Sequence, residues 1–366
     1  MRLFLCGDVM TGRGIDQIMP HPCEPTLYEP HIRSALDYVK LAESRSGEIA
    51  RPVPFDYIWG DALDEIDRRE PGLRIINLET SVTADGKPEP KGINYRMHPA
   101  NLGCIAAADI DCCVLANNHA ADWGPAGLRD TLRAVQHAGF ATAGAGLDAD
   151  AAGSPAVLEA APGRRLLVFA FACPSSGVPE HWAAGERRCG VNLLASLDEN
   201  ALASAIHSID RWRRPGDVVL VSVHWGSNWG YELPAAHIHL ARGLIDSARV
   251  DVVHGHSSHH PLAIEVHAGK PILYGCGDFI NDYEGVGGHE AFRPDLSLAY
   301  FVDLDDTSHR LLSMEMLPFH MQKFRLARAS DEEAAWLGQT LDRECRRFGA
   351  RVHLSESEQN TLVLAT

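Results

Sequence analysis

Short runs of apolar and β-branched residues recur along the chain, and each run is bounded by Gly, Pro, Asn or Asp. Almost every position within a run is hydrophobic, which is typical of strands that are buried on both faces of a sheet. The pattern predicts strands over residues 2–7, 73–78, 111–116, 165–172, 217–223, 250–253, 271–276 and 298–304. The protein is therefore expected to have a core of β-sheet.

Amphipathic segments lie between these strands. Leu128, Leu132 and Val135 form one stripe of a helix predicted over residues 124–138, and a second helix is predicted over residues 198–213. Ser196 and Glu199 have the spacing of a capping box at the start of the second helix. Strands that alternate with helices predict an α/β fold with helices outside a sheet core.

Two polar segments interrupt the pattern, and both are predicted to be long loops. Residues 20–56 are rich in Pro, Glu and His, and residues 84–99 contain Gly, Pro and basic side chains with little periodicity. A helix over 332–347 and a short tail follow. Since no internal repeat or long linker occurs, we predict one large domain over residues 1–330 with the segment 331–366 packed on it.

Composition and charge narrow the possible partners. The chain has 366 residues, of which 45% are hydrophobic and 22% are charged, and this is ordinary for a globular protein. Lys and Arg number 33 against 49 Asp and Glu, which gives a formal net charge of -16. Because nucleic acids and anionic membranes attract basic surfaces, we expect neither as a partner.

The cysteines and the lengths of the apolar segments indicate the cellular compartment of the protein. The nine cysteines include no Cys-x-x-Cys pair, and most lie inside apolar runs, so they are expected to be buried thiols. The first residues do not have the pattern of a secretory signal, and no apolar run approaches the length of about 18 residues that spans a membrane. We therefore expect a cytoplasmic protein without a membrane anchor.

Polar residues of metal-ligand type follow strand after strand. In an open α/β sheet the carboxyl ends of the strands converge on one crevice, so these side chains are expected to lie together. Carboxylates, amide oxygens and imidazoles suit Mn, Zn or Fe better than metals that prefer thiolates. The residues concerned are Asp8, Asn77, Glu79, Asn117, Asn118, His119, His224, the histidines of segment 254–260 and Asp278.

These segments resemble the successive motifs of the CapA family of poly-γ-glutamate capsule proteins, and the likeness extends over residues 1 to about 320. The resemblance implies the four-layer α/β/β/α sandwich of calcineurin-like metallophosphatases, with a metal centre at one edge. The motifs that carry it are Gly7-Asp8-Val9-Met10, Asn77-Leu78-Glu79, Asn117-Asn118-His119, His224-Trp225-Gly226, Gly255-His256-Ser257-Ser258-His259 and Gly277-Asp278-Phe279.

The resemblance also implies a ligand set. One divalent ion is expected to be held tightly by Glu79, Asn118, His224 and His256. A second, weaker site has Asp8. Met10 and Ser258 stand there where the wider metallophosphatase pattern has histidines, and His259 is the nearest substitute for the latter. A thioether such as that of Met10 is a poor ligand for a hard divalent ion.

The resemblance assigns proton transfer to His119, and the alternative is that His119 only orients Asn118. Asp8 and Asp278 are the other candidate catalytic groups. Arg13, Lys87, Lys91 and Arg96 are candidates for binding a substrate carboxylate. The aromatic side chains of residues 224–231 either form an apolar wall for a substrate side chain or pack beneath a loop.

Three functions remain open at this stage. The first is a metal-dependent hydrolase that acts on a peptide or polyglutamate-like substrate, at a peptide or γ-glutamyl-type amide. The second is a Cα epimerase of a ribosomal, lasso-type peptide, in which the ion stabilises an enolate and a D-amino acid is formed. The third is a binding protein that has kept the fold and lost the chemistry.

Overall fold

The computed structural model describes residues 1–365, and within that range it contains nine α-helices and twenty strands. The helices are α1 Gly14–Ile18, α2 Ala35–Ser46, α3 Ala62–Arg68, α4 Gly103–Ala106, α5 Gly124–His137, α6 Ala149–Gly153, α7 Glu199–Asp210, α8 Ala235–Asp246 and α9 Asp331–Cys345. The strands are β1 Arg2–Val9, β2 Leu73–Leu78, β3 Ser81–Val82, β4 Arg96–Met97, β5 Cys112–Val114, β6 Ala141–Ala143, β7 Ala145–Gly146, β8 Ala156–Ala161, β9 Arg164–Ala172, β10 Gly190–Val191, β11 Val218–His224, β12 Val252–His256, β13 Ile264–His267, β14 Lys270–Leu273, β15 Asp278–Ile280, β16 Leu296–Leu304, β17 Leu311–Gln322, β18 Arg325–Arg328, β19 Arg351–Leu354 and β20 Leu362–Ala365.

Two large sheets form the centre of the molecule. The first has the order β19-β20-β17-β16-β1-β2-β5-β6, with β15 paired to β1 and β18 paired to β17. The second has the order β13-β14-β12-β11-β9-β8. Strands β1, β2, β5 and β6 are parallel, as are β9, β11, β12 and β14, so each sheet gathers the carboxyl ends of several strands at one edge.

The sheets pack face to face, and helices cover their outer faces. Along β9, Leu166 and Val168 point into the apolar core that is shared with the first sheet. Leu167 and Phe169 point the other way, into a second core that contains Leu240 of α8. The layers therefore follow the order helix, sheet, sheet, helix, and the predicted α/β/β/α sandwich is confirmed.

Each of the eight predicted strands overlaps an observed strand, but several local predictions were wrong. Segment 20–56 is not one long loop, because α2 forms within it: Ser34 caps that helix, and Tyr38, Val39 and Ala42 bury its inner face. Segment 84–99 also contains β4, where Met97 pairs with Val82 of β3.

The ends of two further elements differ from the prediction. The cap of α7 is Asp198, whose carboxylate accepts from the backbone N–H groups of Asn200 and Ala201, so Ser196 forms no capping box. The chain after α9 is not a plain tail, because β19 and β20 form a hairpin that joins the first sheet through β17. The domain division at residue 330 stays a prediction.

Candidate metal centre

The polar residues at the strand ends meet where the carboxyl edges of the two sheets come together. Asp8 lies near the end of β1, and parallel pairing aligns it with Asp278 on β15. Glu79 directly follows β2, the other parallel neighbour of β1. His224 and His256 end the adjacent strands β11 and β12 of the second sheet. The fold thus assembles these side chains from separate parts of the chain.

The first donor group contains Asp8 together with the four residues of the ligand set predicted for one ion. His224 Nε2 lies 3.1 Å from Asn118 Oδ1 and 3.9 Å from Glu79 Oε1. His256 Nδ1 lies 2.7 Å from His224 Nδ1 and 3.8 Å from Asp8 Oδ1. Donor atoms that bind one ion at about 2.0–2.2 Å are themselves about 3–4 Å apart, and Asn118, Glu79 and His224 Nε2 have this spacing. His256 lies instead at Nδ1 of His224, so a single ion bound by all four residues requires rotation of the His224 or His256 ring.

Neighbouring side chains fix the orientation of these donors. The amide of Asn77 donates to Asp8 Oδ1 at 2.8 Å and to Glu79 Oε2 at 3.1 Å. Ser222 Oγ lies 2.7 Å from His256 Nε2, the ring nitrogen opposite the donor group. Such hydrogen bonds set the tautomer and rotamer of metal-binding side chains.

A second donor group shares Asp8 with the first. One oxygen or nitrogen from each of Asp8, His259 and Asp278 lies within 4.8 Å of the others, and His259 Nδ1 is 2.8 Å from Asp278 Oδ1. Met10 is fully buried, and Ser258 Oγ bonds to the backbone of a neighbouring residue. Asp278 is among the residues of metal-ligand type that follow the strands, but neither predicted ligand set includes it, and its position beside Asp8 makes it a candidate ligand.

The electrostatics of the site suit a cation between the carboxylates. Burial and the nearby Asp278 carboxylate raise the pKa of Asp8, and burial together with Asp8 raises the pKa of Glu79. Burial lowers the pKa of His224 and of His256 far below the ordinary value, so both imidazoles are neutral, the form that binds metals. The residues present therefore fit a divalent ion.

His119 lies at the edge of the first donor group and has its own carboxylate. His119 Nδ1 is 2.6 Å from Asp122 Oδ2, and because the carboxylate can only accept, the ring proton lies on Nδ1. Nε2 is left as an acceptor, 3.8 Å from Glu79 Oε1. Burial and the Lys91 cation lower the pKa of His119 to about 4, although Asp122 opposes them. A neutral His119 is therefore able to accept a proton.

Other histidines of the sequence cluster are held by the fold. His254 Nε2 lies 2.8 Å from the carbonyl oxygen of Cys6 and thereby joins the two sheets. His260 accepts from the backbone N–H of Gly230 at 3.1 Å and stacks on Phe292. Neither has a ring nitrogen in the donor groups described above.

Three of the basic residues proposed to bind a substrate carboxylate already contact other side chains of the protein. Arg13 is buried against Asp282 and Glu29, and Lys91 Nζ is 2.7 Å from Asp122 Oδ1. Arg96 covers the ring of Trp123 at 4.6 Å.

The aromatic residues after β11 divide between core and cavity. Trp225 is buried and stacks on His237, and Tyr231 packs against His260, so both belong to the packing beneath the loop. Trp229 lines a cavity beside His259. The sequence alone could not separate these two outcomes, because all three residues belong to one short segment.

A third cluster of potential ligands lies away from this site, on β17, α9 and the segment before β16. It contains Asp295, His320 and Glu333. Arg293 Nη2 already lies 2.7 Å from Asp295 and 3.0 Å from Glu333, so the charge of these carboxylates is balanced within the fold. We assign no metal to this cluster.

The fold and the donor groups together define an α/β protein of the metallophosphatase-like class with a candidate metal centre. The family model described as bacterial capsule synthesis protein PGA_cap matches residues 2–283, and the chain belongs to this family. The resemblance to CapA proteins seen in the sequence is thus confirmed. No helix within residues 1–365 is long and apolar enough to cross a membrane.

Curated relatives show how the family is described. The chain is 47% identical, over 96% of its length and 92% of the relative's, to a probable polyglutamine synthesis accessory protein of Mycobacterium tuberculosis. It is 26% identical to the PGA biosynthesis protein CapA of Bacillus subtilis, over 75% of this chain and 62% of that protein. The capsule biosynthesis protein CapA of Bacillus anthracis is 22% identical over 77% of this chain and 60% of that protein.

Proposed function

We propose that this protein is a metal-dependent enzyme that hydrolyses a peptide or γ-glutamyl-type amide. The observation that carries the proposal is the neutral His119 ring, which donates to the Asp122 carboxylate and has its free Nε2 3.8 Å from Glu79 Oε1 of the first donor group. Relatives named for the synthesis of polyglutamine and of PGA support an amide-linked polymer or peptide as the substrate class.

A divalent ion held by Glu79, Asn118, His224 and His256 would polarise the amide carbonyl and acidify a water molecule. In hydrolysis, the oxygen of water bonds to the carbonyl carbon while His119 Nε2 accepts the proton. Asp122 stabilises the imidazolium that forms. The C–N bond then breaks, and the proton returns from His119 to the departing amine.

Cα epimerisation is the second candidate, and a specific feature favours it. There are two histidine–carboxylate pairs: His119–Asp122 borders the first donor group, and His259–Asp278 belongs to the second. An epimerase needs one group to remove the α-proton and another to return a proton to the opposite face. Asp8, which is shared by both donor groups, is a further candidate for either task.

One experiment separates the candidates. The metal-loaded protein is incubated in heavy water with a panel of γ-glutamyl and α-linked oligopeptides, and the products are examined by mass spectrometry. Hydrolysis gives fragments without carbon-bound deuterium. Intact peptides that gain one deuterium per inverted centre would replace the proposal by epimerisation. Unchanged peptides throughout would favour a binding protein and would contradict the proposed activity.

A further inference from the structure

A cavity of about 200 Å³ lies beside the second donor group, and aromatic and apolar side chains form most of its wall. Trp229, Tyr283, Ile93, Val286 and Pro294 line it. Pockets that enclose a whole drug-sized ligand measure about 300–1,000 Å³, so this one has room for a single side chain rather than for an extended substrate.

The cavity reaches the candidate metal centre through His259. His259 is one of its lining residues, and Nε2 of that ring lies 3.5 Å from the Tyr283 hydroxyl while Nδ1 contacts Asp278. The Trp229 ring lies 5.3 Å from the His259 ring. A group that occupies the cavity would therefore lie next to any bond positioned at the donor groups.

Two basic residues of the cavity wall already have carboxylate partners: His259 contacts Asp278, and Arg13 is bound by Asp282 and Glu29. Arg13 is the lining residue with a permanent positive charge, but Asp282 binds its guanidinium through both oxygens, at 2.5 and 3.1 Å. Glu29 accepts from its third nitrogen at 2.9 Å. The rings of Tyr38 and Tyr95 also pack against the guanidinium, with centroids 3.9 and 4.2 Å from its central carbon. Arg13 thus has little left to offer an anionic ligand.

The rim of the cavity exposes apolar surface. Ile93 is 47% exposed and Val286 is 43% exposed, although both are large hydrophobic residues. Trp229 is only half-buried, and the exposed His289 ring stacks on it with centroids 3.9 Å apart. An apolar ligand that entered the cavity would remove this surface from water.

We infer that this cavity is a specificity subsite for one uncharged, aromatic or apolar side chain of the substrate, adjacent to the bond that reacts. The inference rests on the proposed function, because it takes the donor groups as the reaction centre. It predicts that the enzyme discriminates against a free carboxylate, such as a glutamate side chain, at this position.

The test measures binding by calorimetry on the metal-loaded protein, with N-acetyl-phenylalaninamide and N-acetyl-glutamate amide as probes. The neutral aromatic probe is expected to bind at least about tenfold more tightly, since burial of one apolar side chain is worth about that factor. Equal binding, tighter binding of the glutamate probe, or binding of neither probe would overturn the inference.

Two matched variants test whether the aromatic probe binds in this cavity. Val286→Asp places a charge at the exposed rim and is expected to weaken binding of the aromatic probe by about tenfold, whereas Leu312→Asp, at a 67% exposed position on β17, should leave it unchanged. Identical affinities for wild type and Val286→Asp would contradict the assignment. Because calorimetry needs no turnover, probe binding without any cleaved peptide would sink the proposed function alone, and cleavage without probe binding would sink the subsite alone.

Discussion

At the scale of single residues, the contacts of His119 define what its ring can do. Asp122 Oδ2 accepts a hydrogen bond from His119 Nδ1–H and another from the backbone N–H of Tyr95, each at 2.6 Å. Ser81 Oγ donates to the carbonyl oxygen of His119 at 2.9 Å and so fixes its backbone. The ring is thereby oriented with one acceptor nitrogen free, which is the arrangement of a general base.

The variant His119→Ala therefore tests whether this arrangement of the ring contributes to catalysis. We expect metal content close to that of wild type and a turnover lower by about two to four orders of magnitude, the usual contribution of a positioned acid or base. His181→Ala, which removes an exposed imidazole, is the matched control and should alter neither quantity. Loss of metal from His119→Ala would show that His119 is a ligand or supports one. Unchanged turnover would show that His119 has only a structural role.

Elements of the fold are held by polar groups as well as by the core, and the start of α9 is an example. Ser330 Oγ accepts from the Glu333 N–H, while Glu333 Oε2 accepts from the Ser330 N–H at 2.9 Å. Glu333 Oε1 lies 2.6 Å from His320 Nδ1 on β17. A single carboxylate thus caps the helix and ties it to the first sheet.

These contacts predict a pH-dependent stability. Although partial burial opposes it, hydrogen bonds from Ser330 and His320 lower the pKa of Glu333 from 4.5 to about 2. A carboxylate whose pKa is lower in the folded state stabilises the fold above its unfolded pKa and ceases to do so as the pH falls through the folded value. The free energy of unfolding should thus differ most between wild type and Glu333→Gln at pH 7, and the difference should shrink below about pH 4.5.

Denaturant unfolding at a series of pH values measures this difference. Glu332→Gln removes an exposed carboxylate from the same turn and serves as the control. A difference for Glu333→Gln that stays constant from pH 7 to pH 3, or that matches the control throughout, would contradict the assignment.

The elements that the sequence predicted are those whose burial is visible in a single run of residues. Strand β2 coincides with the prediction because Leu73 to Leu78 are apolar or buried at nearly every position. Helix α2 was missed because its segment is rich in Pro, Glu and His, and only Tyr38, Val39 and Ala42 reveal its buried face. The pairing of β20 with β17 joins residues far apart in the chain, and local sequence patterns do not contain such contacts.

The same distinction applies to the site. Glu79, Asn118, His224 and His256 were predicted as ligands because each belongs to a motif at a strand end, and the fold places them near one another. Asp278 was recognised as a residue of metal-ligand type but was not placed in a ligand set, since its nearness to Asp8 depends on the parallel pairing of β15 with β1. Tyr283 and Val286, which line the cavity, belong to none of the sequence motifs.

At the scale of the whole molecule, the two sheets are the reason that a metal centre can exist. Asp8 and Glu79 come from the first sheet, and His224 and His256 come from the second. Many carboxylates contribute to the net charge of -16, but those at the site are buried and lie close to imidazole rings. A bound cation would therefore link the two sheets, and it would also act as the Lewis acid of the proposed reaction.

Metal analysis of the dialysed protein tests this account most directly. We predict close to one tightly bound divalent ion per chain in wild type, and loss of that ion in the double variant Glu79→Gln, His224→Ala. His239→Ala, at an exposed histidine of α8, is the control and should keep the ion. A wild-type protein that binds no divalent ion, or a double variant that retains it, would contradict the assignment of the metal centre.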